Sequence, residues 1–172
     1  HADLGEFGQT RPVAATGLPY ALHLSPVLPR RPYPYSIYLT NLRKLLRRVA
    51  PDVVYLIGEP SELGAAQLVK AVKRYTSAPV ALYSYENVDR DWRGFPRCLR
   101  GRAEAATLRR ADLMLAGSHT AAARLQRLGY PADRIRVVYA GARSELCYLR
   151  DASETRETLG LAPESFLIGY VG

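Results

Sequence analysis

The chain predicts an α/β fold, a Rossmann-like, doubly wound parallel sheet with helices on both faces. Two observations carry that expectation. Apolar runs of strand length alternate with stretches whose apolar residues recur near every 3.6 positions, in the order β-α-β-α-β-α-β-α-β-α-β. The runs are also continuous, as strands covered on both faces tend to be.

Residues 1–20 hold Gly5, Gly8, Pro12, Gly17 and Pro19 without any period and read as loop. Ala21–Leu28 is a strand candidate, and residues 29–34 are a proline-rich connector. A helix is expected over Tyr35–Val49, where Ile37, Leu39, Leu42, Leu45, Leu46 and Val49 form one stripe. Arg43, Lys44, Arg47 and Arg48 load its last turns, where cations suit the dipole. Pro51 and Asp52 break it before the strand Val53–Ile57.

Ser61 is a candidate N-cap for a helix running to about Tyr75. Pro79–Tyr83 is the next strand, Ser84–Phe95 a long polar loop and Pro96–Arg110 a basic helix. Asp112–Ala116 is a strand, and Ser118 caps a helix over 119–128 that Gly129 closes. Arg134–Tyr139 is a strand, Ser153–Leu159 a short helix and Phe166–Val171 a last strand.

With 172 residues the chain suits one ordinary domain, and 48% hydrophobic residues argue against disorder. No apolar run is long enough to cross a bilayer. The first residues, His1–Gly5, are not the apolar core of a signal peptide. Cys98 and Cys147 lack metal-ligand spacing and fit simple thiols in a reducing cytoplasm. Neither a metal nor a cofactor is expected. A net charge of +8, carried mostly by arginine, suits phosphate, carboxylate or an anionic surface. Arg90, Arg93, Arg97, Arg100, Arg102, Arg109 and Arg110 could lie on acidic head groups, which adds the inner face of a membrane to the cytoplasm as a location. A solvated basic face explains them equally. No helix-turn-helix, RNP or zinc signature points to nucleic acid.

Open parallel sheets bind ligands outside the carboxyl ends of their strands. That rule selects the loops Gly58–Ser61, Ser84–Arg93, Gly117–Thr120 and Ala140–Ser144. In the second, Tyr85, Glu86, Asn87, Asp89 and Arg90 offer groups that hydrogen-bond or stack on sugars. Glu59 also stands at a strand end. Gly117 and Ser118 present free helix N–H groups, a generic anion site, although simple capping explains Ser118 as well. His119 reads as a residue of the first helical turn rather than a catalyst.

Several of these stretches resemble a family. The run from Leu45 to Tyr55 is similar to the LLRRxxPDVVH element of group 1, retaining glycosyltransferases of the GT-B fold. Leu108–Asp112 running into Ala116–Ser118 resembles LRRADxxxxGS, and Arg134–Ala142 resembles RIxVVPNGVD. Leu159–Leu161 with Phe166–Gly172 resembles the start of that family's second domain. Residues 5–11 and 86–90 look like one bacterial branch.

The resemblance implies transfer of a sugar from a nucleotide diphosphate sugar to an acceptor, with retention. Residues 1–150 would be the N-terminal, acceptor-side domain without its first strands. Residues 151–172 would be a linker helix and the first strand of a C-terminal, donor-binding domain. The first two strands and a glycine-rich loop are expected before His1, and the diphosphate-binding residues after Gly172. Alone, this stretch is expected to be inactive. By the resemblance, Glu86 falls where many members carry a His after the same strand, near the transferred sugar, and a Glu there could hold a hydroxyl or stabilise developing positive charge, so it is the catalytic candidate. Glu59, Tyr85, Asn87, Asp89, Arg90, Ser118 and Gly141 are the substrate-binding candidates. Ala140 and Arg143 replace the Asn and Asp of the NGVD turn.

The implied partners are a nucleotide-sugar donor held by the C-terminal domain, a glycan or lipid acceptor, and an anionic membrane surface. A strand-swapped homo-oligomer, in which Phe166–Val171 fills a central slot, is a further expectation. From the residues alone, a non-catalytic ligand- or partner-binding module and a basic membrane binder stay open.

Overall fold

The computed structural model describes residues 2–3, 9–10, 20–29, 33–141 and 151–168. The chain divides into two compact units, His1–Tyr139 and Ala140–Gly172.

Two small antiparallel pairs precede the main sheet. In the first, β1 (Ala2–Asp3) pairs with β2 (Gln9–Thr10), so the loop expected over 1–20 contains a short ladder. In the second, β3 (Val27–Leu28) pairs with β4 (Ile37–Tyr38). The strand expected over Ala21–Leu28 shrinks to its last two residues. The helix expected from Tyr35 begins only at Leu42, as α1 (Leu42–Val49). Two side chains set that start. Asn41 accepts a hydrogen bond from the Lys44 N–H at 3.0 Å and caps the helix. Gln67 accepts from the Tyr38 N–H at 2.7 Å and donates to the Tyr38 carbonyl at 2.9 Å, which holds Tyr38 extended.

The main sheet is parallel, in the order β5 (Val54–Ile57), β6 (Val80–Ser84), β7 (Leu113–Ala116), β8 (Ile135–Val137). It is joined through α2 (Leu63–Tyr75), α3 (Arg97–Leu108) and α4 (His119–Arg127). The parallel Rossmann-like α/β sheet agrees with the expectation. Consecutive strands are neighbours, and right-handed crossovers taken in one direction deliver every helix to the same face.

The core shows that face. Val54, Leu56 and Val80 pack with Leu42 and Leu46 of α1 and Val69 and Val72 of α2. Leu82, Met114, Ala116 and Ile135 pack with Leu108, Ala121, Ala122 and Leu125. The register puts these strand residues on one side of the sheet. Tyr55 and Ile57 point to the other side and are 51% and 72% exposed. Among the described residues Val54–Ile57 is therefore an edge strand covered on one face, where the continuous apolar run suggests burial on both.

Ser61 does not cap α2. Its residue before the helix is Glu62, which makes no side-chain cap, while Ser61 is buried and accepts from Arg100 Nη2 at 2.7 Å. Ser118 does cap α4, accepting from the Ala121 N–H at 3.1 Å, and Gly129 follows the helix with φ +84°. Asp112 closes the opposite end of the sheet. Its carboxylate accepts from Lys73 and, at 2.6 Å, from the Val80 N–H.

In the second unit α5 (Ser153–Thr158) is followed by a turn that Arg156 gathers, donating to the carbonyls of Ala162, Pro163 and Ser165. A strand was expected over Phe166–Val171. Its described part, Phe166–Ile168, is irregular and exposed, and among the described residues no strand pairs with it. Residues 169–171 lie outside the described residues, as do Arg143 and Cys147. Cys98 is a half-buried free thiol.

Candidate active site at the carboxyl ends of the strands

The carboxyl end of β6 carries a dense set of polar contacts. Ser84 ends the strand with its side chain fully buried. Its hydroxyl donates to Glu59, which follows β5 on the neighbouring strand end. The Glu59 carboxylate also accepts from the backbone N–H of Tyr85 at 2.9 Å and of Glu86 at 3.2 Å. One acid thus satisfies three donors where the chain leaves the sheet. The loop after β6 starts from a fixed direction.

That fixed start aims Glu86. Its side chain is only 12% exposed, and both carboxylate oxygens accept from Arg90, from Nε and Nη2 at 3.2 Å each. A two-pronged guanidinium contact holds a carboxylate in plane. Arg90 itself is half exposed. Tyr85 and Asn87, on either side of Glu86, are exposed.

The rest of the loop is tied to the helices. Arg124 on α4 is 1% exposed. Its Nη2 lies 2.6 Å from Glu104 Oε1 on α3, and its Nε donates to the Val88 carbonyl at 3.0 Å. Asp89 accepts from Arg127 at 3.0 Å and lies 3.6 Å from Arg124 Nε. The Trp92 indole N–H donates to Glu104 at 2.8 Å, and Arg100 lies 4.5 Å from the Trp92 ring centroid. Gly101 makes this packing feasible, since a Cβ there would fall 2.8 Å from the Trp92 Cβ. A pocket of about 290 Å³ opens beside the network, lined by Asp89, Arg90, Trp92, Glu104 and Arg127 among others.

At the neighbouring strand end, after β7, stand Gly117 and Ser118. A Cβ on Gly117 would meet Tyr85 Cδ1 at 2.9 Å and the Tyr83 hydroxyl at 3.2 Å, so only glycine lets the Tyr85 ring lie there. The Ser118 hydroxyl is shared between the Ala121 N–H and Thr120 Oγ1.

The structure therefore assembles Glu59, Tyr85, Glu86 and Arg90 through Ser84, with Gly117 under the Tyr85 ring. Asp89 faces α4 rather than Glu86. Gly141 is exposed and belongs to the second unit. Sequence reasoning missed Ser84, Glu104, Trp92 and Arg124. Ser84 carried a signal, a polar residue ending an apolar run. The other three are joined across stretches of chain that no period links. Among the described residues no group of His, Cys, Asp and Glu could hold a metal ion.

Fold and site together define an α/β domain with a polar rim at the carboxyl ends of a parallel sheet. Residues 4–141 match the family of the glycosyl transferase 4-like domain, and the chain belongs to that family. It is a glycosyltransferase-type domain. No curated protein matches the chain. Among the described residues no helix is long and apolar enough to cross a membrane.

Proposed function

We propose that this domain is the acceptor-side half of a group 1, retaining GT-B glycosyltransferase. It positions a glycan or lipid acceptor for sugar transfer from a nucleotide diphosphate sugar, whose diphosphate is held by the second domain of such enzymes. The observation that carries this reading is the anchoring of Glu86, aimed by Glu59 through two backbone N–H groups and held in plane by Arg90.

As the bond from the anomeric carbon to the diphosphate breaks, positive charge grows on the sugar ring. A preorganised carboxylate within reach lowers the energy of that state without reorganising. Glu86 takes this part, while Arg90 holds it oriented. Glu59 serves the site by holding the loop. Tyr85, Asn87 and Ser118 supply stacking and hydrogen bonding to substrate hydroxyls. Arg93, Arg97, Arg102 and Arg109 are exposed around α3 and suit a location against an anionic membrane surface.

The test is Glu86→Gln in the full-length protein, assayed by release of nucleoside diphosphate. Loss of a preorganised charge in the transition state should lower kcat about a hundredfold with little change in donor KM. A kcat within twofold of the parent value overturns the role of Glu86.

A further inference from the structure

Three aromatic side chains on three different strand-end loops are held in register by one buried tyrosine. Tyr83, 5% exposed, lies at the end of β6. The Tyr85 ring meets it edge-on, with centroids 4.6 Å apart and planes at 68°. The Tyr83 hydroxyl donates at 2.7 Å to the Val138 carbonyl, which fixes the chain leaving β8 one residue before Tyr139. Tyr139 in turn meets His119 edge-on, at 6.1 Å and 70°, and His119 opens α4 just after β7. Tyr85 is 55% exposed and Tyr139 64% exposed, and His119 is exposed too.

Exposed aromatics at separate loop ends are ordinarily unconnected. Here Gly117 and Tyr83 pin the Tyr85 ring, and the Tyr83 hydroxyl pins the backbone that presents Tyr139. An edge-to-face contact sets the edge of one ring against the face of the other, so it covers one face in each pair and leaves the remaining faces to a ligand. Glu86 and Asn87 follow Tyr85 in the chain and Ser118 precedes His119, and these groups accept from or donate to hydroxyls. An apolar face flanked by hydroxyl-binding groups is what a pyranose ring requires. One side of such a ring presents C–H bonds and its rim presents hydroxyls. A phosphate would meet the Glu86 carboxylate instead.

We propose that Tyr85, Tyr139 and His119 form an angled aromatic platform, in which one ring stacks on a pyranose ring of the acceptor and the others border it, with Gly117 as the position that sets the platform's shape. This rests on the glycosyltransferase reading and names the acceptor class, a sugar ring rather than a bare lipid alcohol.

The experiment is saturation-transfer NMR on the full chain, with the methyl α- and β-pyranosides of glucose, galactose and mannose as probes. At least one should bind, with transfer strongest to the ring protons of a single face. Tyr139→Ala and His119→Ala should each weaken that binding roughly threefold to tenfold, while Tyr139→Phe retains it. Gly117→Ala, by displacing Tyr85, should weaken it similarly. Thermal melting of each variant separates lost contact from lost fold, and the exposure of Tyr139 and His119 leaves the fold intact. Binding by no pyranoside overturns the platform, as does binding that Tyr139→Ala and His119→Ala leave unchanged. A nucleoside monophosphate that binds more tightly than every pyranoside, and loses affinity in Tyr139→Ala, overturns the sugar assignment. If the platform fails while Glu86→Gln still abolishes transfer in the full-length protein, the functional reading stands without it. If transfer itself is absent, the functional reading fails.

Discussion

Arg124 and Glu104 form an ion pair at 2.6 Å in which both residues are almost wholly buried, 1% and 4% exposed. The pair joins α4 to α3, and through Val88, Asp89 and Trp92 it fastens the loop that carries Glu86. Removing one partner of a buried pair strands the other charge away from water. Arg124→Met and Glu104→Leu should therefore each cost about 3–5 kcal/mol in urea unfolding. The double variant should cost less than the sum of the two singles, since no orphan charge remains. Strict additivity would show that the two groups do not stabilise one another.

Asp112 gives a pH-dependent contribution. Partial burial works against its charged form, but Lys73 and the Val80 N–H outweigh that and hold its carboxyl below the usual carboxylate range. A carboxyl whose folded pKa is depressed contributes stability that is present above its unfolded pKa and lost as pH falls through the folded value. Since the side chain is 44% exposed, solvent screens much of the effect. Asp112→Asn should lower stability by roughly 1 kcal/mol at neutral pH. The gap from the parent should close below about pH 4, where the unfolded carboxyl is protonated. Thermal midpoints measured from pH 3 to 7 check this, and a gap that is constant with pH contradicts it.

Tyr130 is 5% exposed, and its hydroxyl donates at 3.0 Å to the Ala111 carbonyl. Burial, offset in part by Arg134, pushes its phenol up to about 12. Tyr130→Phe leaves the carbonyl of Ala111 without this donor and should cost roughly 1–2 kcal/mol. In the parent, a spectrophotometric titration should show Tyr130 among the tyrosines that ionise after the exposed ones, with Tyr38 and Tyr83, and the variant should lose one tyrosine from that late step.

Ala50 ends α1 with φ +44°, a left-handed conformation that suits glycine. Ala50→Gly should stabilise the fold by about 0.5–1 kcal/mol, because relief of the Cβ clash exceeds the added chain entropy. A midpoint unchanged or lowered in denaturant contradicts that balance.

The strands and helices of the main sheet were legible because local chemistry and long-range packing agree there. Pro79–Tyr83 and Asp112–Ala116 are apolar runs, and both are strands within a residue or two. Ser118 and Gly129 are local signals, and both act locally. Tyr35–Thr40 misled because its apolar spacing suits a helix, while a distant side chain, Gln67, holds Tyr38 extended. Ser61 misled because its hydroxyl is taken by Arg100, 39 positions away. For the site, the loop after β6 was visible as a polar stretch behind an apolar strand. The partnership of Glu59 with Ser84 was not, since it depends on two adjacent strand ends that only the register brings together. The contact of His119 with Tyr139 was hidden for the same reason.

The single direction in which β5, β6, β7 and β8 are laid down has a kinetic consequence. Each strand finds its neighbour in the unit just made, one helix earlier in the chain, so closing each step costs only the entropy of a short loop. Such a sheet can grow in the order of synthesis, with every unit docking on a surface already present. Its folding should be fast for a parallel sheet.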